Sequence, residues 1–362
     1  MQVQKAGVFS EILDQPRAWR ETLQMLVKRK EELGGWLKGE NFGQIVFVGC
    51  ASSYTVGVSA AHIAQLVSGL NTEIYPSSEF CYLRRPPYDS RIKTLVVAIS
   101  RSNDSDDTFW AVDKIKKMHP AAKVLGIFAK DGGRIQAMCD QTIILPNTLE
   151  IGPVSTRTAS SSLLACMVLT AWISGKDAFI NELIRVPDIY GDPVYLKNIQ
   201  DTVRKLSVPK PLPIHFAFLG CGPYYGLALE AARKLRELVA YSAEAQQTLE
   251  FRHGGQGNLV KENMVICFLS DTMRKAELDV LGGLAKYRCP RVVILEQADE
   301  SVKLRADQAI ELKTKVSEIT RILAMYPVIH FLTFYMSIAR GKNADKLYHL
   351  DPPIQIKDRP GV

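Results

Sequence analysis

The chain has 362 residues, room for one large domain or two ordinary ones, and a 47% hydrophobic content that supports a sizeable core and excludes global disorder. Its net charge of +7 comes from dispersed basic residues with no aromatic-interleaved basic stripe. Nucleic-acid binding is therefore a weak reading, and an anionic small substrate fits the charge equally well.

The N-terminus, Met1 to Lys5, lacks the apolar core of a signal peptide. Residues 8–33 have a helical pattern, with Phe9, Ile12, Leu13, Trp19, Leu23, Leu26 and Val27 near one face, and Pro16 is expected to break it in two. Residues 44–50 read as a buried strand ending in Gly49. A loop through Ser52 and Ser53 follows, then a small-residue helix over 55–70 and a short strand over 71–75. The apolar run 94–99 predicts a buried parallel strand. It leads through Ser100, Arg101, Ser102 and Ser105 into a helix over 108–118. Strands at 123–128 and 141–145 follow, with a helix from Gly133 between them. A loop over 146–158 then opens a helix over 159–175. The longest apolar stretch read here, Leu163 to Ser174, is too short to span a bilayer, so the chain is expected to be soluble and cytoplasmic, with no membrane partner. Its seven cysteines, without a CxxC, fit free thiols in a reducing compartment. No metal-ligand spacing is present, and no cofactor is expected.

The second half repeats the first. Gly-Cys at 49–50 recurs at 220–221, and the strands at 93–100, 123–127 and 140–145 recur at 263–270, 291–295 and 307–312. Four strands in one order at a nearly constant offset of 167 to 171 indicate two copies of one α/β domain, linked around 184–201 through Pro187 and Pro193. The expected division is a helical lead-in over 1–40, domains over 41–190 and 191–340, and a tail over 341–362.

Open parallel sheets bind ligands at the carboxyl ends of their strands. Ser52, Ser53, Ser100, Ser102, Ser105 and the segment 152–157 with Ser155 all fall there. The Ser100–Ser105 loop reads equally as a phosphate cradle at a helix N-terminus or as a Ser/Asp-rich cap without a ligand. In the sister loop at Ser270, Asp271 follows directly and would repel a phosphate. Glu230, Lys234 and Glu237 share one helix face. They read as a solvated salt-bridged surface, or as a carboxylate that moves a proton between sugar carbons beside an ammonium. His253, before Gly254, reads as a surface or capping residue, or as a proton shuttle.

Taken together these stretches resemble the tandem sugar isomerase (SIS) family, in particular the isomerase half of glucosamine-6-phosphate synthase and stand-alone amino-sugar-phosphate deaminases, deglycases and isomerases. The similar segments are the lead-in Glu11 to Pro16, Gly49 to Tyr54, Ser100 to Thr108, Glu150 to Arg157, Leu229 to Glu237 and Ala243 to Gly255. The resemblance implies two flavodoxin-like α/β domains, each a parallel sheet with helices on both faces. It implies that Ser53, Ser100, Arg101, Ser102 and Ser105 bind phosphate and that Ser52 and Ser155 touch the sugar. Glu237 would carry the proton between C1 and C2 with Lys234 beside it. His253, donated by the second subunit of a homodimer, would assist ring opening.

The implied activity is deamination or deglycation of an amino-sugar or fructosamine 6-phosphate. Plain aldose–ketose isomerisation and non-catalytic sugar-phosphate sensing are the alternatives. Asn103 and Ala51 stand where the family has glycine, and Gly255 where it has proline. The tail at 345–353 lacks the family's imine-forming lysine in register, leaving Lys346, Lys357 or His349 as substitutes. No glutaminase half precedes the lead-in, so ammonia-channelling synthesis is not expected.

Overall fold

The computed structural model describes residues 7–207, 211–348, 350, 354 and 356. The chain forms two compact units. Of the described residues, one unit, called N-terminal below, comprises Arg17–Glu150 and Arg157–Ile184. The other, C-terminal, comprises 7–16, Ile151–Thr156, 185–207 and 211–348.

Helix α1 (Gly7–Leu13) stops at Asp14 and α2 (Gln15–Lys28) starts at once, so the break precedes Pro16. Proline fits a first helical turn, where its missing N–H has no partner to lose. A π-helical turn, Lys30–Gly34, leads into α3 (Gly35–Glu40). Then come β1 (Gln44–Gly49), α4 (Ser52–Ser68), β2 (Asn71–Pro76), the single turn α5 (Ser77–Phe80) and β3 (Thr94–Ser100). Next are α6 (Asp106–Met118), β4 (Lys123–Phe128), β5 (Gln141–Ile144) and α7 (Arg157–Ser174).

The helix expected from Gly133 is only a 3-10 turn, Gln136–Met138. The backbone N–H of Gln136 goes to the Asn103 side chain rather than to a helical ladder. A Cβ on Gly133 would sit 2.0 Å from the Asn103 carbonyl oxygen, so this segment is spent on close packing.

All strands of the first sheet are parallel, in the order β2-β1-β3-β4-β5. Strands β1 and β3 are buried along their whole length, which is why they read as unbroken apolar runs. Trp19 on α2 donates to Ser160 on α7 at 2.9 Å, tying α2 to this unit.

The segment proposed as a link is helical. It forms α8 (Asp177–Gly191), which runs through Pro187, and α9 (Pro193–Leu206), which Asp192 caps. The second copy continues as β6 (His215–Gly220), α10 (Tyr224–Val239), β7 (Ala243–Gln246), β8 (Asn263–Phe268), α11 (Arg274–Gly283), β9 (Arg291–Leu295), α12 (Glu300–Lys303), β10 (Gln308–Glu311) and α13 (Glu318–Ala339). Its sheet, β7-β6-β8-β9-β10, has the topology of the first. The repeat read from the sequence is thus two flavodoxin-like sheets, each with its switch point beside its first strand.

Helix α13 is longer than the Leu163–Ser174 stretch. Among the described residues it alone is long and apolar enough to cross a membrane, yet 89% of that window is buried inside the protein. Phe9 of α1 stacks on its Phe334 at 4.9 Å. Each fully buried Leu, Ile or Phe of α13 contributes about 1.5–3 kcal/mol. All seven cysteines are free thiols.

In both copies the first strand ends in a glycine against the helix that follows. A Cβ on Gly49 would meet the Ser53 carbonyl carbon at 2.8 Å, and one on Gly220 would meet the Tyr224 carbonyl oxygen at 2.5 Å. Gly220→Ala is expected to destabilise the protein by about 1–3 kcal/mol through overpacking. Gly39→Ala, where nothing lies within 4 Å in a helix, should be neutral or stabilise by up to about 1 kcal/mol. Chemical-denaturation midpoints of the two variants check this pair.

Candidate active site

In the first sheet Gly49 pairs with Ile99, so the loops after β1 and β3 leave the sheet side by side at the switch point. Ser52 and Ser53 open α4, and Ser100, Arg101, Ser102 and Ser105 precede α6. The structure therefore brings these six residues to one sheet edge in front of two helix N-termini, where free N–H groups and the helix dipole favour an anion. Ser52 and Ser100 are buried, Ser53, Arg101 and Ser105 half-buried, and Ser102 exposed. Ser105 is the residue before α6, yet its side chain makes no capping bond. Within the loop, Ser102 Oγ accepts from Asp104 N–H at 3.3 Å. Arg101 lies 4.0 Å from the buried Glu150 carboxylate, which also accepts from Thr158 N–H and Oγ1, both at 2.8 Å.

The two glycine replacements take glycine's conformation. Asn103 has φ 56° and Ala51 φ 53°. Asn103 is fully buried, and its side chain holds the turn by donating to Lys130 O at 3.0 Å and Gln136 Oε1 at 2.8 Å. Three carboxylates share the loop. Arg134 pairs with Asp104 at 2.8 Å and with Asp106, and its guanidinium lies 4.6 Å from the Phe109 ring centre. The third, Asp107, has its pKa raised by burial and by Asp106 beside it.

The sister loop is already filled. Glu277, fully buried on α11, accepts from Ser270 N–H at 2.8 Å, Ser270 Oγ at 2.6 Å and Thr248 Oγ1 at 3.0 Å. Glu318 of α13 accepts from Asp271 N–H at 2.8 Å and Thr272 Oγ1 at 2.6 Å. Asp271, read from the sequence as the repelling group, instead pairs with buried Arg321 at 2.9 Å. What closes the second cradle to an external anion is that its donors already serve two internal carboxylates. Burial raises the Glu277 pKa, against the lowering effect of its hydrogen bonds.

On α10, Lys234 Nζ lies 2.8 Å from Glu237 Oε2 and 3.2 Å from Glu230 Oε1. The Lys234 and Glu230 side chains are 1% and 0% exposed and Glu237 18%, so this is not a solvated surface ladder. Burial pulls the ammonium pKa down, but the Glu230 and Glu237 carboxylates outweigh it and leave the pKa raised. The arrangement is a reachable carboxylate held by a buried cation, a form suited to accepting and returning a proton.

His253 ends a 3-10 turn, Glu250–His253, and is exposed; it makes no hydrogen bond to Lys234 or Glu237. Gly255 is required where it stands, since a Cβ there would meet Gln246 Oε1 and the Phe251 ring at 2.4 Å. Ser155 is half-buried in the segment that belongs to the C-terminal unit. Lys346 is described, in a turn, whereas His349 and Lys357 lie outside the described residues. Among the described residues no group of three or more His, Cys, Asp or Glu is arranged to hold a metal ion.

Sequence reasoning missed His330 on α13. It is 1% exposed, and neither ring nitrogen has a hydrogen-bond partner. Burial, with the Lys234 charge in addition, pushes its pKa well below the ordinary value. No local motif marks it, because α13 is apolar all round.

Residues 40–171 match the model of the SIS domain. The whole chain is similar to the glutamine–fructose-6-phosphate aminotransferase (isomerizing) of Aquifex aeolicus, 25% identical over 357 residues, which is 98% of this chain and 58% of that one. The chain thus spans a little over half the length of the curated relatives it matches. Among solved structures, a tagatose-6-phosphate ketose/aldose isomerase from Escherichia coli superposes with TM-score 0.83 at 19% identity, over 97% of this chain and 98% of that one. A glucosamine-6-phosphate deaminase from Thermotoga maritima gives 0.76 at 23%, over 96% and 99%. The chain shares its fold, two parallel five-stranded sheets flanked by helices, with these solved structures.

Because folded His330 resists protonation while the unfolded histidine titrates near 6.5, its contribution is intact above that pH and is lost as pH falls below it. Between pH 6.5 and 5 the native protein should lose up to about 1.4 kcal/mol per pH unit from this group, and His330→Phe should lose correspondingly less. Unfolding midpoints across that range check the difference.

Proposed function

We propose, for a chain whose residues 40–171 match a SIS domain, an enzyme that deaminates or deglycates an amino-sugar or fructosamine 6-phosphate. The observation that carries this reading is the Glu237 carboxylate, partly exposed and 2.8 Å from the buried Lys234 ammonium. The phosphate is assigned to Ser53, Ser100, Arg101, Ser102 and Ser105, in the loops before α4 and α6. Ser52 and Ser155 are assigned to the sugar. An exposed His253, contributed by a second subunit, is assigned to ring opening.

With an open-chain 2-amino-2-deoxy-aldose 6-phosphate, Glu237 removes the C2 proton and an enolamine forms. The same carboxyl returns the proton to C1. This leaves a ketimine at C2, which adds water and expels ammonia, giving a ketose 6-phosphate. A fructosamine 6-phosphate follows the sequence from the other side: proton loss from C1, return to C2, and hydrolysis of the C1 imine to release the amine. Lys234 keeps Glu237 oriented, and no other group is asked to carry the proton. Transfer by a positioned carboxylate is worth roughly 10²–10⁴ in rate.

The same proton transfer without C–N cleavage is aldose–ketose isomerisation. A panel of hexosamine and fructosamine 6-phosphates, with free amine and ketose assayed separately, divides the readings. Amine release is expected. Ketose formation without it would favour isomerisation, and tight binding without turnover would favour a sensor. Glu237→Gln should lower kcat by about 10² or more with binding retained; native turnover by that variant would sink the assignment.

A further inference from the structure

The two copies differ most in the loop after the last strand of each sheet. Between β10 and α13 it spans residues 312–317, 6 of them; between β5 and α7 it spans 145–156, 12 of them. The extra length contains Ile151 to Thr156, the piece that groups with the C-terminal unit and carries Ser155.

A loop that leaves its own sheet needs another anchor, and the structure supplies one from the start of the chain. Glu11 of α1, 2% exposed, accepts from two successive loop amides, Ile151 N–H at 2.6 Å and Gly152 N–H at 2.9 Å. The approach is close enough to require glycine: a Cβ on Gly152 would lie 2.7 Å from Glu11 Oε2 and 2.8 Å from Val8 Cγ2. Beyond the grip, Val154 and Thr156 are buried, while Ser155 between them is only half-buried. The helix bearing Glu11 is itself held, since Asp345 accepts from Gly7 N–H at 3.1 Å and Val8 N–H at 2.9 Å. A carboxylate from residue 345 thus fixes α1, and a carboxylate from α1 fixes the loop.

We propose that Glu11 is a positioning residue, fixing the 151–156 loop so that Ser155 is presented to the sugar, with Asp345 anchoring the helix on which Glu11 stands. The proposal rests on the reading that Ser155 touches substrate. Bonding two consecutive amides at once sets the direction of the chain leaving them, which a single bond would not. The carboxylate also suits two N–H donors better than a neutral amide does.

The test compares Glu11→Ala, Glu11→Gln, Ser155→Ala and the Glu11→Ala/Ser155→Ala double variant on whichever hexosamine or fructosamine 6-phosphate the panel shows to be turned over. Amide exchange is followed at Ile151 and Gly152. Glu11→Ala should raise KM roughly tenfold with kcat changed less than about threefold, matching Ser155→Ala. The double variant should be no worse than the more severe single one, and Glu11→Gln should recover part of the loss. Exchange at the two amides should accelerate at least tenfold in Glu11→Ala while amides of β8 stay protected.

Glu11→Gln keeps the shape of the residue and serves if the alanine variant does not fold. An impaired Ser155→Ala beside a native Glu11→Ala, additive losses in the double variant, or unchanged exchange at both amides overturns the positioning role alone. Ser155→Ala at native KM overturns the sugar-contact reading and the positioning role with it.

Discussion

A parallel strand that ends in a ligand loop must turn sharply into a helix while keeping its last residues paired with its neighbours. At Gly49 and at Gly220 the turn is tight enough that a Cβ would collide with backbone four residues on. That approach places the first turns of α4 and α10 directly behind their strands, and strand pairing then sets the next loop beside the first. The placement of the strand-end loops in both copies follows from this constraint. What each copy does with it depends on the side chains that fill the edge.

The two edges have been filled in opposite ways. In the first, hydroxyls, one arginine and helix N–H groups converge, with Arg134 tied to two of the three nearby carboxylates. In the second, Glu277 and Glu318 take the donors. The second copy retains ionic chemistry elsewhere, in the Glu230–Lys234–Glu237 row of α10. Burying such a row costs desolvation that a surface row avoids, and a well-packed apolar set would serve stability as well or better. What the row supplies is position: Lys234 holds the Glu237 carboxylate in one place.

Much of this was legible in the sequence because central parallel strands are buried on both faces. Residues 123–128 and 291–295, apolar after a leading Lys123 and Arg291 apart from Gly126, read as strands and are strands over those residues. The repeat survived because its strands did. The failures have local causes. The helix expected from Gly133 is not formed because Asn103 takes the amide of Gln136. Helix α13 was not read because a helix buried on all sides has no polar face to give it a period. Its His330, Arg321 and Glu318 went with it. For α10, spacing placed Glu230, Lys234 and Glu237 on one face but could not say whether that face met solvent; only burial separates a surface ladder from a held carboxylate. The grip of Glu11 on Ile151 and Gly152 joins residues 140 and 141 positions apart, and no local pattern announces it.

The filled cradle has a thermodynamic consequence. A site whose donors wait for an outside anion gains stability in proportion to the logarithm of that anion's concentration above its dissociation constant. A site whose anion is a side chain of the same polypeptide has no such dependence, because its ligand is present at one fixed effective concentration. The loop at Ser270 to Thr272, held by Glu277 and Glu318, is therefore stabilised to an extent that does not depend on solute supply. A gain in stability that tracked an added phosphorylated solute would come from elsewhere in the molecule than this loop.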